Sequence, residues 1–519
     1  MDNIMEILQT ILLGQLVATF LFNTGRIIKA VHIFNECLVL LNGKALETIK
    51  ELTTPLVIKF YRILLDGYTR VYDHTRAIEC GEKLLVTLHN SGQKEVEGMT
   101  LLKLANIYYQ TSKYEEAKQF YEKALSIMIQ AGNNRIVGTC YGNLGTVFLS
   151  VSQYTKAEEY LQKALVIRKE IGDKKGEAAD YANLGTVFQS VGQYTKAEEY
   201  LQKALVIHKE IGNNNGEASD YGNLGTVFRA VGQYTKAKEY LQKALEISKE
   251  IGDKEGEASH NGNLGIVFKS LGQYTKAEKC LQKALVIKKE IGDKKGEASS
   301  YGNLGTVFKS IGQYTKAEEY FQKALTINEE IGDKHGVGAS YLNLGKLCRE
   351  FQLHAKSQEF TNKALRISYE IGDIEMQFSS HLNIALNALV VGGSINELLR
   401  NLYESIQKCE EMHDFLREKD QFKISFFDEH VSPYLLLCRL LIATGNYHEA
   451  LYVAELGRSR ALTDVLSEKY CVDKGVSVNT QSWIGIENIM KKNALSSCLY
   501  VSCFDDEMYF WILKPNKNK

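Results

Sequence analysis

Leu144, Val147, Phe148 and Val151 lie three and four positions apart, the spacing that places side chains on one face of an α-helix. Ala197, Leu201, Ala204 and Leu205 mark the packing face of a second helix, whose outer side pairs Glu199 with Lys203 at i,i+4. This two-helix pattern returns every 40 residues. Tyr141-Gly-Asn-Leu-Gly145 is read again at 181–185, 221–225, 261–265, 301–305 and 341–345, with Asn261 as the one change at its first position. A fixed period of this length predicts a solenoid, in which each helix pair buries its apolar face only against its neighbours.

The punctuation between helices also repeats. Gly192 is placed to end a first helix, and glycines at 172, 212, 252, 292, 332 and 372 to end second helices, mostly as Gly-Asp. Thr195 and Glu198 stand at the S/T-x-x-E spacing of a capping box, which predicts the start of the second helix. The same spacing recurs at Thr155/Glu158, Thr275/Glu278 and Thr315/Glu318, and Lys238 breaks it once. Small residues at Gly185 and Ala197 predict a close approach of the two helices, which a larger side chain would force apart.

Tyr141, Leu144, Gly145, Phe148, Ala157, Leu161 and Ala164 together resemble the tetratricopeptide repeat (TPR). The NLG core and the EIGDKKGEA connector are similar to the 40-residue subclass of kinesin light chain and the Pins/LGN proteins. The resemblance implies an all-α, right-handed TPR superhelix with first helices on the concave side. It is strongest from Leu101 to Asp373, while Leu64, Ala77 and Asn383 keep the register outside that stretch. Weaker helix pairs near 3–45 and 430–465 bring the expected total to about eleven.

The expected organisation is divergent helix pairs over 1–97, a regular array over 98–373, divergent TPR-like helices over 374–470, and a different segment over 471–519. In the last, a polar connector (471–482) and a short amphipathic helix near 483–492 precede two strands, Cys498–Phe504 and Met508–Leu513, flanking Asp505 and Asp506. ELGRSRAL followed by this hairpin resembles the entry into a CHAT domain, a caspase-like module. The Cys and His that serve as catalytic pair in proteolytic CHAT modules lie deeper than this chain reaches, so no catalytic residue is assigned.

The surface expected to work is a column of asparagines: Asn143, Asn183, Asn223, Asn263, Asn303, Asn343 and Asn383. It lies off the core face, among small polar residues such as Thr139, Gly142, Thr146 and Ser150. An amide donates and accepts at once, which suits a peptide backbone or a carboxylate, and the TPR resemblance implies that role for it. The competing reading is that these asparagines bridge neighbouring repeats or persist through duplication. Six residues further on, Leu149 and Gln189 give way to Arg229, Lys269, Lys309 and Arg349, and Lys346 replaces a threonine of the floor. The C-terminal part of the groove therefore suits an acidic or carboxylate-bearing segment, unless these cations form only a solvated rim. The tyrosines at 160, 200, 240 and 320 read as packing between repeats, and His208, His260, His335 and His354 as surface residues.

Charge adds a limit. With 62 basic and 63 acidic residues, the net charge of −1 offers no general attraction to nucleic acid or anionic membrane. The ten cysteines include no CxxC and no zinc-like spacing; Cys140, Cys280, Cys348 and Cys438 read as buried helix thiols in a reducing, cytoplasmic setting. The apolar run Ile7–Phe22 lacks the basic residues of a leader and contains Gln9, Thr10 and Gln15, so it is expected to be a buried first helix without membrane insertion. The expected function is a protein-binding scaffold with neither cofactor nor metal. A regulatory array for a CHAT protease and a self-associating spacer are the alternatives.

Overall fold

The computed structural model describes residues 2–89, 91–415, 432–454, 498–504 and 507–513. Helices follow one another along the chain: α1 (Asp2–Asn23), α2 (Ile27–Leu41), α3 (Lys50–Arg70), α4 (His74–His89), α5 (Lys94–Gln110), α6 (Tyr114–Gln130), α7 (Asn134–Ser150) and α8 (Tyr154–Glu170). They continue as α9 (Lys174–Ser190), α10 (Tyr194–Glu210), α11 (Asn214–Ala230), α12 (Tyr234–Glu250), α13 (Lys254–Ser270) and α14 (Tyr274–Glu290). The last are α15 (Lys294–Ser310), α16 (Tyr314–Glu330), α17 (Lys334–Glu350), α18 (His354–Ile371), α19 (Ile374–Val391), α20 (Ile395–Phe415) and α21 (Ser432–Ala443). Residues 447–454 are also helical and pack on α21 through Cys438, Leu441, Ala450 and Val453. The chain forms two compact units, one of Met1–Ser190 with Glu199–Asn213, the other of Val191–Glu198 with Asn214–Lys519.

From α3 to α20 each turn is set by one left-handed residue. Gly172, Gly192, Gly252 and Gly292 take φ between 71° and 74°, a conformation without penalty only for glycine. Four sites hold a side chain in the same conformation: Tyr72, Ser112, Ser152 and Gln352. The capping boxes at Thr155, Thr275 and Thr315 do not form. The second helices begin at tyrosine, Gln153, Gln233, Gln273 and Gln313 occupy the cap, and no side chain bonds there. Thr155, Thr275 and Thr315 therefore already sit inside the helix, too late to cap it. The working caps are at the other junction. Asp173, Asp253, Asp293 and Asp333 accept from the backbone N–H of Gly176, Gly256, Gly296 and Gly336 at 2.8–3.1 Å. The Gly-Asp pair thus closes one helix and opens the next.

Within a pair the helices nearly touch. A β-carbon on Gly145 would lie 2.5 Å from Leu161 Cγ, and one on Gly305 would lie 2.6 Å from Phe321 Cε1. Leu144, Val147 and Phe148 are buried as their period predicts, but Val151 is 40% exposed because it already lies past the helix end. The tyrosines stack inside their own pair: Tyr160 meets Phe148 at 5.0 Å and Tyr141 at 5.9 Å, and Lys163 lies over the rings of Tyr141 and Tyr160. Tyr200 and Tyr320 also belong to clusters that include Leu165 and Leu285 of the preceding pair, so these rings pack both within and between pairs. Lys203 and Glu199 form the expected ion pair at 2.7 Å.

Junctions between consecutive pairs carry buried polar groups. Asp180 meets Arg168 at 3.1 Å, and Asn328 donates to Ser340 at 3.3 Å. His208 and His260 occupy the same two columns and are 5% and 7% exposed, so they are core residues rather than surface ones. His335 keeps its exposure and pairs with Asp373 at 3.1 Å, and His354 bonds Asn387. Cys140, Cys348 and Cys438 are buried, and Cys280 is half-buried.

The first helix departs from expectation. Ile11 and Ala18 are fully buried, yet Met5, Leu12, Leu13, Leu16, Val17 and Phe20 face outward. Within the described residues α1 packs through the side that carries Ile11 and Ala18. Ile4–Asn23 is long and apolar enough to cross a membrane by length and composition, with 11% of it buried. The hairpin forms as read: Cys498–Phe504 and Glu507–Leu513 pair antiparallel, Cys498 opposite Leu513 and Phe504 opposite Glu507. The connector and amphipathic helix over 471–492, and the ELGRSRAL segment, lie outside the described residues.

Candidate peptide-binding face

In the second unit the first helices α11, α13, α15, α17 and α19 touch one another in succession, and the second helices approach one another less closely. The first helices therefore form the closer-packed, inner side of that unit. On α11, α13, α15 and α17 the asparagines 223, 263, 303 and 343 are half-buried. Among the described residues, their side-chain amides make no hydrogen bond to the protein. A half-buried amide with no protein partner is left to solvent or to a ligand.

The column is not uniform. In the first unit Asn183 is likewise half-buried, whereas Asn143 donates to Asn106 on α5 at 3.2 Å, so it bridges neighbouring repeats. Asn383 departs further. It is 2% exposed and donates to Thr361 at 2.7 Å. Thr361 stands where the five preceding pairs carry leucine or phenylalanine, and its smaller, hydroxyl-bearing side chain accepts the amide in the interior. Asn383 is closed to a ligand. The threonines of the floor are partly spoken for too, since Thr226 and Thr306 donate to the carbonyls of Asn223 and Asn303.

The cations lie along the same band, at i+6 from each of Asn223, Asn263, Asn303 and Asn343 and also at i+3 from Asn343. Arg229, Lys269, Lys309, Lys346 and Arg349 are all half-buried. Lys309 pairs with Glu350 at 2.8 Å. Among the described residues, no carboxylate comes within ion-pairing distance of the other four, and Arg229 Nε is buried without a partner. Burial, then Lys309 and Arg229, hold the Lys269 ammonium below its usual value. Burial, then Lys309 and Arg349, do the same to Lys346, against a weaker pull from Glu375. Burial also lowers Arg349, against a pull from Glu350.

A separate open cleft of about 810 Å³ lies between α15 and α16, lined by Glu297, Tyr301, Glu318, Gln322, Lys323 and Ile327. It is on the second-helix side, away from the asparagines. Among the described residues, no group of three His, Cys, Asp or Glu side chains is arranged to hold a metal ion.

The family model for the tetratricopeptide repeat matches residues 97–170, 177–250, 256–330 and 310–370, just over half of the chain. The chain belongs to the tetratricopeptide repeat family. Among curated TPR proteins it is similar to tetratricopeptide repeat protein 28 of Mus musculus, at 32% identity, and of Homo sapiens, at 30%, each over 130 residues. That stretch is 25% of this chain and spans only 5% of the length of either relative. Among solved structures, the STAND protein of Pyrococcus horikoshii with a TPR sensor is 17% identical, with a TM-score of 0.47, covering 72% of this chain and 54% of that one.

Proposed function

We propose that the second unit is a protein-binding scaffold that captures an extended segment of a partner protein along the inner face of α11, α13, α15 and α17. TPR proteins act in general as protein-interaction scaffolds, and this reading assigns the face and the residues. The observation that carries it is the row of half-buried amides at Asn223, Asn263, Asn303 and Asn343, which make no hydrogen bond to the protein among the described residues. Packed helices lie roughly 8–10 Å apart and an extended peptide advances about 3.3 Å per residue. Each asparagine can then meet a peptide group about every third residue, donating through its NH2 and accepting through its carbonyl. Binding of this kind needs neither cofactor nor metal.

The test is selection of 16-residue phage-displayed peptides on the full chain, followed by titration of a selected peptide against wild type and Asn263→Ala/Asn303→Ala. The double variant is expected to weaken binding at least tenfold with its helical circular dichroism unchanged. Unchanged affinity would reject the face.

A further inference from the structure

α1 is apolar on two opposite sides, and the chain uses only one of them. Ile11 and Ala18 are fully buried in the core that contains Phe34, Cys37 and Leu38. A β-carbon on Gly14 would stand 2.5 Å from Cys37 Sγ, and the Arg70 guanidinium lies over the Phe22 ring at 4.9 Å. The other side carries Met5, Leu12, Leu13, Leu16, Val17 and Phe20, each 45–68% exposed. Among the described residues nothing covers it. A helix apolar on both sides belongs in an interior, and an exposed patch of this kind marks an interface.

We propose that a second copy of the chain covers this side, the two α1 helices packing antiparallel about a two-fold axis that passes by Leu12 and Leu13. The outward stripe runs Met5, Gln9, Leu12, Leu13, Leu16, Phe20, in steps of four, three, one, three and four. The steps are the same from either end, so a reversed copy meets the stripe position by position: Met5 against Phe20, Gln9 against Leu16, Leu12 against Leu13. A two-fold interface demands this reciprocity. Charge agrees with it. Between Ile4 and Asn23 the single ionisable side chain is Glu6, which stands at the edge of the stripe and would face Thr19 of the second copy rather than another Glu6. Area agrees too, since the six apolar side chains expose on the order of 600 Å², against roughly 800 Å² per partner in a standard interface. A bilayer fits less well. Crossing it would strip Ile11 and Ala18 from their core, and lying on an anionic one calls for lysine and arginine, which α1 lacks. The contact involves only the first unit, so it stands or falls apart from the peptide face of the second. Dimerisation doubles that proposed face, which favours a partner that repeats its segment.

The test is sedimentation of the full chain over a concentration series. Wild type is expected to sediment at twice the mass of one chain at micromolar concentration. Leu12→Glu/Leu16→Glu should raise the dissociation constant at least a hundredfold with its helical circular dichroism unchanged. A second measurement reads the orientation and decides the matter even where the glutamate variant fails to fold. Met5→Cys and Phe20→Cys chains, mixed and oxidised with copper phenanthroline, should link to each other above the background of the native thiols, and neither should link to itself. A monomeric wild type, a dimer indifferent to the two glutamates, or self-linking of each cysteine variant would overturn the inference. Flotation with phosphatidylcholine–phosphatidylserine vesicles tests the other cover. Vesicle binding by a monomeric chain, lost in Leu12→Glu/Leu16→Glu, would make α1 a membrane face and overturn the dimer as well.

Discussion

Gly225 of α11 lies so close to Leu241 of α12 that a β-carbon on the glycine would stand 2.6 Å from Leu241 Cγ and 3.3 Å from the carbonyl oxygen of Ala237. The helix pair is thus joined at a point where only hydrogen fits. Gly262 and Gly302 are also helical glycines, but a β-carbon there meets nothing within 4 Å. The two kinds of glycine should respond in opposite ways. Gly225→Ala is expected to destabilise by about 1–3 kcal/mol through overpacking. Gly302→Ala should stabilise by roughly 0.5–1 kcal/mol, because alanine gives up less freedom on entering a helix. Urea denaturation of the two variants checks both signs.

Ser152 holds φ at 58°, in the turn where four later repeats place glycine at 192, 232, 272 and 312. A left-handed conformation costs a residue with a β-carbon about 1 kcal/mol. Ser152→Gly is expected to recover most of that, seen as a raised urea midpoint with an unchanged slope.

The Arg168–Asp180 contact joins α8 to α9 in a nearly closed site, with the two side chains 11% and 1% exposed. Their atoms approach to 3.1 Å without hydrogen-bond alignment, and burial pushes Asp180 up to about 7 in spite of the guanidinium. Removing one partner strands the other. Asp180→Ala should therefore cost about 3 kcal/mol or more, whereas Arg168→Met/Asp180→Leu should be close to neutral. A double-mutant cycle in urea measures the difference.

The His335–Asp373 pair gives a pH dependence with a defined sign. Its hydrogen bond to Asp373 raises His335, and the same bond lowers Asp373 below its ordinary value. The histidine contribution is complete below about 6.5 and fades as pH rises through its raised folded value. The aspartate contribution is complete above about 3.9 and fades as pH falls through its lowered folded value. The pair therefore supports α17 and α19 between about pH 4 and 6.5. Since the imidazole is 68% exposed, the effect is only about 0.5 kcal/mol. His335→Gln should remove this excess stability at pH 5.5 and change little at pH 8.5.

Features set by local chemistry were legible in the sequence. The helical period of Leu144, Val147 and Phe148, the glycine turns and the close approach at Gly145 each follow from residues next to one another in the chain or one helix away. Features set by neighbouring pairs were not. His208 and His260 look like isolated polar residues until stacking places them in the junction columns of Arg168 and Asp180. The one signal available was that these columns vary while their surroundings repeat. Thr155 and Thr195 matched a capping box, but the left-handed turn residue starts the helix before threonine can cap it. Asp173 and its copies were read as ending a helix because their second task depends on the next one. Asn383 left the column because of a single distant threonine, Thr361. Exposure of Leu12, Leu13, Leu16 and Phe20 on α1 depends on which neighbours pack against it, which its own apolar pattern does not specify.

The most direct test of the account is a photo-crosslink. A benzophenone amino acid at Thr306 stands between Asn303 and Lys309 on the inner face, and one at Gln322 stands in the open cleft on the other side. With a library-selected peptide, the account predicts a crosslink from Thr306 and none from Gln322. A crosslink from Gln322 alone would place the partner on the second-helix face and contradict it.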